Sequence, residues 1–237
     1  MITPRRLGLF GGTFDPIHIG HLAAAEAVRD ALQLDEVWLL TSHVPPHRPQ
    51  PMASVHHRFA MVALAVQERD ALRASDVELL APGPSYTSAT LARLHDAGFA
   101  PLQLFFIVGA DAFAEIAAWR DYPRFLDAAH FVAVNRGSRS VPRPDIEKGG
   151  AGRRIIDVKT GYGERIEPES PAIFLVDHPT PDVSSTAVRA RCARGLSITG
   201  MVPPAVERHI QRHRLYAPDH GTSVERLTAG LLHEQEH

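Results

Sequence analysis

The chain has 237 residues, of which 44% are hydrophobic and 22% are charged, and its formal net charge is −2. These values are typical of a globular domain with enough length for a core, and they give no sign of a broad basic face for nucleic acid. The single cysteine, Cys192, excludes an internal disulfide framework and fits a reducing compartment. No apolar run approaches the roughly 18 residues that a membrane-spanning helix needs. We therefore expect a soluble cytoplasmic protein that binds neither nucleic acid nor membrane.

A glycine-rich turn follows the first apolar run. Residues 7–10 predict a β-strand, residues 11–21 read GGTFDPIHIGH, and an alanine-rich helical pattern runs from Leu22 to Leu32. The backbone N–H groups of such a turn, together with the positive end of the next helix, form a site for phosphate. His18 and His21 fall on one side of the helix start, and each can become cationic near neutral pH. The segment therefore predicts a site that holds a polyphosphate and stabilises charge moving along it.

Short apolar runs alternate with helical patterns along most of the chain. The predicted strands are 7–10, 36–41, 103–108, 130–135 and 172–176, and the predicted helices are 22–32, 57–69, 88–97, 112–119, 184–194 and 203–214. This alternation predicts βαβ units and a parallel sheet covered on both faces, in which ligands bind beyond the carboxyl ends of the strands. We expect the segments beginning at Gly11, Thr41, Gly109 and Asn135 to converge on one cleft.

The domain organisation is predicted from composition. Residues 45–51 and 137–152 are rich in proline, glycine or polar residues and are predicted to be loops, and no motif marks the stretch up to residue 171. Residues 1–216 are assigned to one domain that includes the C-terminal helices. Residues 217–237 are assigned to a tail with the spacing of a short amphipathic helix.

A second segment, residues 182–189, reads DVSSTAVR. Ser184 and Ser185 are good helix-capping residues, and the N–H groups of the first turn face an anion. Arg189 lies one turn further along and can reach the same anion with its forked guanidinium. Alone, this pattern is typical of an ordinary serine-capped helix. Beside the first segment it favours a phosphate contact.

These segments resemble those of the HxGH nucleotidyltransferase superfamily and, within it, the bacterial nicotinate-nucleotide adenylyltransferase family. Further matching segments are VPPHR at 44–48, PSYT at 84–87 with Thr90 and Leu91, and GAD at 109–111 followed by Trp119. The resemblance covers nearly all of residues 6–216. It implies a Rossmann-like, doubly wound α/β fold with C-terminal helices.

The resemblance also implies roles for individual residues. His18, His21 and Arg189 are implied to be catalytic. Contact with ATP is implied for Gly11, Gly12, Thr13, Phe14, His18, His21, Gly109, Asp111, Ser184, Ser185 and Arg189. Contact with the mononucleotide is implied for Thr13, Arg48, Tyr86, Thr87, Trp119 and Arg136. A Mg²⁺ ion is expected to accompany ATP, held largely by phosphate oxygens and water rather than by a protein cage.

No protein metal site is expected from the spacing of the histidines. His43, His47, His56 and His57 are predicted to be surface residues, because no carboxylate or cysteine lies at metal-ligand spacing around them.

The implied reaction joins nicotinate mononucleotide to ATP and yields nicotinate adenine dinucleotide and pyrophosphate in NAD biosynthesis. Several alternatives stay open. Nicotinamide mononucleotide, phosphopantetheine or another phosphate could be the acceptor, and a noncatalytic nucleotide sensor could keep the same fold. The string HIGH at 18–21 also resembles that of class I aminoacyl-tRNA synthetases. The sequence leaves open whether the protein is a monomer or a homo-oligomer, and what His43, the 137–171 stretch and the tail do.

Overall fold

The computed structural model describes residues 6–44, 50–81, 83–135, 155–159 and 166–218. The strands within these ranges are β1 (Leu7–Gly12), β2 (Glu36–Thr41), β3 (Leu72–Ser75), β4 (Leu104–Gly109), β5 (His130–Val134), β6 (Ile155–Lys159) and β7 (Ile173–Asp177). The α-helices are α1 (Ile19–Leu32), α2 (Val55–Val66), α3 (Thr87–Asp96), α4 (Ala110–Ala114), α5 (Ser185–Ala193) and α6 (Pro204–Arg212). None of these helices is both long and apolar enough to cross a membrane.

The described strands form one parallel sheet in the order β3-β2-β1-β4-β5-β7-β6. From β1 the chain first moves outward through β2 and β3, and then returns to place β4 on the other side of β1. The order therefore reverses between β1 and β4, and a crevice opens at the carboxyl ends of strands at such a point. The predicted doubly wound α/β sheet is confirmed.

Both faces of the sheet are covered, as the apolar sequence of β4 indicates. Phe105 and Ile107 belong to a core that includes Val28 of α1 and Met61 of α2. The alternate β4 residues pack into a second core that contains residues of α3 and α4. Successive side chains of a strand point to opposite faces, so a strand buried on both faces is apolar at nearly every position.

Two strands were not predicted, and both lie at edges of the described sheet. β3 reads LRAS, and Leu72 is its one buried residue. β6 lies within the 137–171 stretch, which is therefore not a continuous loop. An edge strand has a neighbour on one side only and tolerates polar residues, so neither segment carries the continuous apolar run that marks the central strands.

The helix predicted over 112–119 is wrong in its bounds. α4 ends at Ala114, and a separate 3₁₀ turn covers Ile116–Ala118. α1 begins at Ile19, three residues before the predicted start, so His21 lies in its first turn. The predicted loop at 137–152 and residues 219–237 of the tail lie outside the described residues. The boundary after residue 216 stays a prediction.

His130 gives the fold a specific dependence on pH. Its ring is buried against Phe105, and its Nδ1 accepts a hydrogen bond from the Ala172 N–H at 3.0 Å. Burial, with a smaller effect from Arg6, lowers the pKa of His130 from 6.5 to about 4. The folded-state pKa is below that of the unfolded chain. The neutral ring therefore stabilises the fold above pH 6.5, and this stabilisation is lost as the pH falls through about 4.

Between pH 7 and pH 4, we expect the free energy of unfolding to fall by roughly 2–3 kcal/mol less in His130→Leu than in the wild type. Urea denaturation at several pH values measures this. The two proteins are compared by the slope of unfolding free energy against pH and not by its absolute value, because His130→Leu also loses the hydrogen-bond acceptor for the Ala172 N–H at every pH. His56→Leu, at an exposed position, is the matched control. An unchanged slope in His130→Leu would contradict the assignment.

Candidate active site

A cavity of about 740 Å³ opens at the carboxyl end of the sheet, next to the loop that joins β1 to α1. At two positions of this region, neighbouring atoms come so close to the backbone that glycine is favoured. A Cβ atom on Gly12 would lie 2.7 Å from the ring of Phe14, and one on Gly20 would lie 3.1 Å from the Pro181 carbonyl oxygen. Real Cβ atoms essentially never come within 3.0 Å of another atom, so a larger residue at position 12 would displace the Phe14 ring. A contact of 3.1 Å is tighter than most, so a larger residue at position 20 would press on the segment before α5.

The carboxylate of Asp15 anchors this loop. Its Oδ2 accepts a hydrogen bond from the Met52 N–H at 2.8 Å, and its Oδ1 accepts from the Ala53 N–H at 3.1 Å and the Tyr216 hydroxyl at 2.7 Å. Asp15 is 6% exposed. A buried carboxylate is tolerated only when donors replace its water, and here three donors do so. Burial and the nearby Asp15 raise the pKa of Tyr216 far above its ordinary value, so its hydroxyl stays protonated and donates.

Two arginines hold the backbone of the same loop. Arg58 of α2 is 1% exposed, and it donates from Nη1 to the Thr13 carbonyl at 2.7 Å and from Nη2 to the His43 carbonyl at 3.1 Å. Arg189 of α5 donates from Nη1 to the Asp15 carbonyl at 2.7 Å. The Ser185 hydroxyl donates to the Pro16 carbonyl at 2.8 Å. The loop is thus fixed by side chains from two helices.

The two histidines of the loop stack on each other. Their ring centroids are 3.6 Å apart with an interplanar angle of 25°, and Nδ1 of His21 accepts a hydrogen bond from the His18 backbone N–H at 3.3 Å. His21 lines the cavity, and the edge contact of its ring with Phe14 limits how far it can turn. His18 is completely buried and is not among the residues that line the cavity. The structure therefore presents one histidine to a ligand, with the other packed against it.

The start of α5 forms the facing part of the cavity wall. Ser184 caps the helix, its Oγ accepting from the Ala187 N–H at 3.1 Å, and Ser185, Thr186 and Arg189 also line the cavity. Arg189 uses two of its five N–H groups on described residues, Asp15 and Thr186. Its other N–H groups can meet an anion beside the helix N-terminus, where the helix dipole also favours negative charge.

The remaining wall is aromatic and acidic. Trp119 is half-buried and stacks on Phe125 with a centroid distance of 6.1 Å, and the guanidinium of Arg120 lies 4.6 Å over the ring of Tyr86. Glu78 accepts a hydrogen bond from the Thr90 hydroxyl at 2.8 Å, and burial raises the pKa of its carboxyl. The loop and α5 thus offer cationic and N–H groups, and the rest of the wall offers flat rings, carboxyl groups and the guanidinium of Arg120.

Most of the predicted site residues meet at this cavity. Those that line it are Gly11, Gly12, Thr13, Phe14, His21, Tyr86, Thr87, Gly109, Asp111, Trp119, Ser184, Ser185 and Arg189. Arg48 and Arg136 lie outside the described residues. Asn135 itself is buried and donates from Nδ2 to Oδ1 of Asp177 at 3.2 Å, and the residues that follow it lie outside the described ones, so the expected convergence of that segment stays a prediction. Asn135 follows β5, one strand beyond the reversal point, and this hydrogen bond directs its side chain toward β7.

Three residues of the anchor were missed by sequence reasoning. Asp15 stands inside the quoted turn, but its three partners are 37, 38 and 201 residues away in the chain. Arg58 shares a helix with apolar residues, and a charge among apolar positions was the available signal. Tyr216 gave no signal, since it is only the last residue before the polar tail.

Comparison with known proteins now identifies the family. A family model described as cytidylyltransferase-like matches residues 9–191. The chain belongs to the cytidylyltransferase-like family. One relative, from Desulfatibacillum aliphaticivorans, carries the name "Probable nicotinate-nucleotide adenylyltransferase" and is 39% identical over 218 residues, covering 89% of this chain and 99% of that protein. A relative of the same name from Chromohalobacter salexigens is 38% identical over 218 residues, covering 90% and 97%.

Solved structures support the cytidylyltransferase-like fold. The nicotinic acid mononucleotide adenylyltransferase of Plasmodium falciparum complexed with NaAD matches with a TM-score of 0.66, over 90% of this chain and 97% of that one. The same enzyme complexed with APC matches with a TM-score of 0.64 over the same shares. Both are 16% identical to this chain, so they show the fold alone.

We expect Tyr216→Phe to lower the free energy of unfolding of this cytidylyltransferase-like protein by about 1.5–3 kcal/mol, because a buried carboxylate loses one of its donors. Equilibrium urea denaturation measures the change. Tyr122→Phe is the matched control, since its ring is half-buried and its hydroxyl makes no hydrogen bond to another described residue. Equal stability of the two variants would show that the Tyr216 hydroxyl does not support Asp15.

Proposed function

We propose that the protein transfers the adenylyl group of ATP to nicotinate mononucleotide, producing nicotinate adenine dinucleotide and pyrophosphate in NAD biosynthesis. The observation that carries the proposal is a single cavity that joins a phosphate-type loop and the start of α5 to an aromatic wall. The chain is also similar, over about nine-tenths of its length, to relatives that carry the nicotinate-nucleotide adenylyltransferase name. The P. falciparum structures were solved with NaAD and with APC, which agrees with a dinucleotide product and a nucleotide substrate.

The triphosphate is proposed to lie between the loop and α5. Residues near Gly12 and at the start of α5 line this space, their backbone N–H groups are the proposed phosphate contacts, and Arg189 adds a fixed cation. His21 lines the same space and is proposed to stabilise charge on the α-phosphate and on the departing pyrophosphate. His18 is proposed to act through His21, because its ring packs against that of His21 and does not line the cavity.

The chemistry then needs positioning and charge neutralisation. A phosphate oxygen of the mononucleotide forms a new bond to the α-phosphorus of ATP, and the bond from that phosphorus to the oxygen bridging to the β-phosphate breaks. The electron pair leaves with pyrophosphate. A phosphate is an adequate nucleophile at neutral pH, so neither a covalent enzyme intermediate nor a strong base is required.

A divalent ion is proposed to enter with ATP as part of that substrate, and Mg²⁺ is the expected ion. The carboxylate of Asp15 lies at the cavity, but its oxygens already accept three hydrogen bonds. It is therefore poorly suited to bind the ion directly. Phosphate oxygens and water are the proposed ligands.

The mononucleotide is proposed to lie against the aromatic wall. Trp119 offers a flat face to the pyridine ring, and Tyr86 and Thr87 line the same part of the cavity. Gly109 and Asp111 also line the cavity and are proposed to contact ATP. Contacts from Arg48 and Arg136 stay predictions from the sequence.

The proposal is tested by pyrophosphate release from MgATP with nicotinate mononucleotide or nicotinamide mononucleotide at matched concentration. We expect release with a strong preference for the nicotinate form. Equal or reversed preference would contradict the acceptor. No release with either acceptor would contradict adenylyl transfer to a pyridine mononucleotide and would favour another phosphate acceptor or a nucleotide sensor.

The variant His21→Ala tests whether the reaction takes place in this cavity. We expect its kcat to fall by roughly 10²–10³, the usual effect of removing one group that stabilises transition-state charge. His56→Ala, at an exposed position on α2, should keep the wild-type rate. Undiminished turnover in both His21→Ala and His18→Ala would place the chemistry elsewhere.

A further inference from the structure

Three histidines meet where α2 packs against α6. His57 lies in the first turn of α2, His209 lies in α6, and His213 follows the last turn of α6. Nδ1 of His57 is 3.1 Å from Nε2 of His209, and one ring nitrogen from each of the three residues lies within 4.8 Å of the other two. Among the described residues, these are the histidine, cysteine or carboxylate side chains that come together closely enough to hold an ion.

The spacing of this cluster suits a metal ion. His209 and His213 are four residues apart and so lie on one face of the helix, the spacing of the two zinc-binding histidines of an HExxH helix. His57 adds a third nitrogen from a separate helix. With Zn–N bonds of the usual length, tetrahedral ligand nitrogens are about 3.4 Å apart. The separations in the cluster bracket that distance, and His213 is exposed, so a change of its rotamer can close the gap.

The contacts between the three rings also suit a shared ligand. A neutral imidazole carries a lone pair on one ring nitrogen. A hydrogen bond between His57 and His209 accounts for their short contact without a metal. It does not account for the third imidazole, whose ring centroid lies 4.8 Å from that of His57 and 4.5 Å from that of His209.

We propose that His57, His209 and His213 form a binding site for a divalent transition-metal ion of the zinc class, with water in the fourth position. The inference does not depend on the proposed adenylyl transfer. It replaces the sequence-based expectation that no protein residue binds metal and that His57 is a surface residue. Spacing along the chain could not show the site, because 152 residues separate His57 from His209.

An ion at this position would join two parts of the loop anchor. His57 is followed directly by Arg58, which holds the Thr13 and His43 carbonyls. His213 lies three residues before Tyr216, which donates to Asp15. By fixing α6 to α2, the ion would stabilise the segment that delivers the Tyr216 hydroxyl.

The test is zinc binding to the full chain, measured at neutral pH by competition with a chromogenic chelator, with Co²⁺ absorption spectra as a report on ligand geometry. We expect one tight Zn²⁺ per chain and a tetrahedral Co²⁺ spectrum. His57→Ala and His213→Gln should each weaken the site by more than about tenfold, since losing even a supporting group costs that much. Zinc should also raise the midpoint of thermal unfolding in the wild type but not in these variants.

Two controls keep the result specific. His56→Ala removes an exposed neighbour on α2 and should leave zinc affinity unchanged. Replacing the tail histidines His220, His233 and His237 together by alanine should also leave it unchanged. His213 is exposed, so His213→Gln is expected to fold even if His57→Ala does not, and circular dichroism checks this. Wild-type affinity in His213→Gln, or loss of the tight site in the tail variant, would overturn the proposal.

Discussion

The buried carboxylate of Asp15 is the constraint on which the rest of the site depends. A charge in that position requires partners, and the chain supplies them from two distant places, the 52–53 backbone and the Tyr216 hydroxyl. Once these donors are in place, the loop between β1 and α1 has few alternative conformations. Arg58 and Arg189 then hold its carbonyl groups, so that helices α2 and α5 and the segment after α6 all converge on one short stretch.

This arrangement explains how an open crevice at the reversal of strand order becomes a cavity suited to the adenylyl transfer proposed for it. The reaction proposed for the cavity needs little covalent chemistry from the protein, so its rate depends on where the phosphates and the fixed positive groups lie. A loop tied on several sides keeps His21 and the N–H groups in place before the substrate arrives. The same ties make α6 and the residues after it part of the site, although they are far from it in the sequence.

Local chemistry was readable from the sequence, and long-range contacts were not. The alternation of apolar runs predicted the parallel sheet, and the two motif segments predicted the loop and the start of α5, because these depend on neighbouring residues. The edge strands β3 and β6 were missed because one-sided burial leaves a weak apolar pattern. Arg58, Tyr216 and the histidine cluster were missed because their partners are far away in the sequence and are brought together only by the tertiary fold. The complete burial of His18 could not be predicted either, because sequence spacing assigns a residue to one face of a helix but does not show what packs against that face.

The measurement that tests this account most directly is the steady-state rate of Asp15→Asn. The substitution keeps the shape of the side chain but removes its charge and turns an NH₂ group toward a backbone donor. We predict that kcat falls by roughly 10²-fold, as expected when catalytic groups are misplaced by about an ångström, while circular dichroism still reports a folded chain at the assay temperature. Asp96→Asn, at an exposed position on α3, should be indistinguishable from the wild type. A folded Asp15→Asn variant with the wild-type kcat would show that the anchor is not what organises the site.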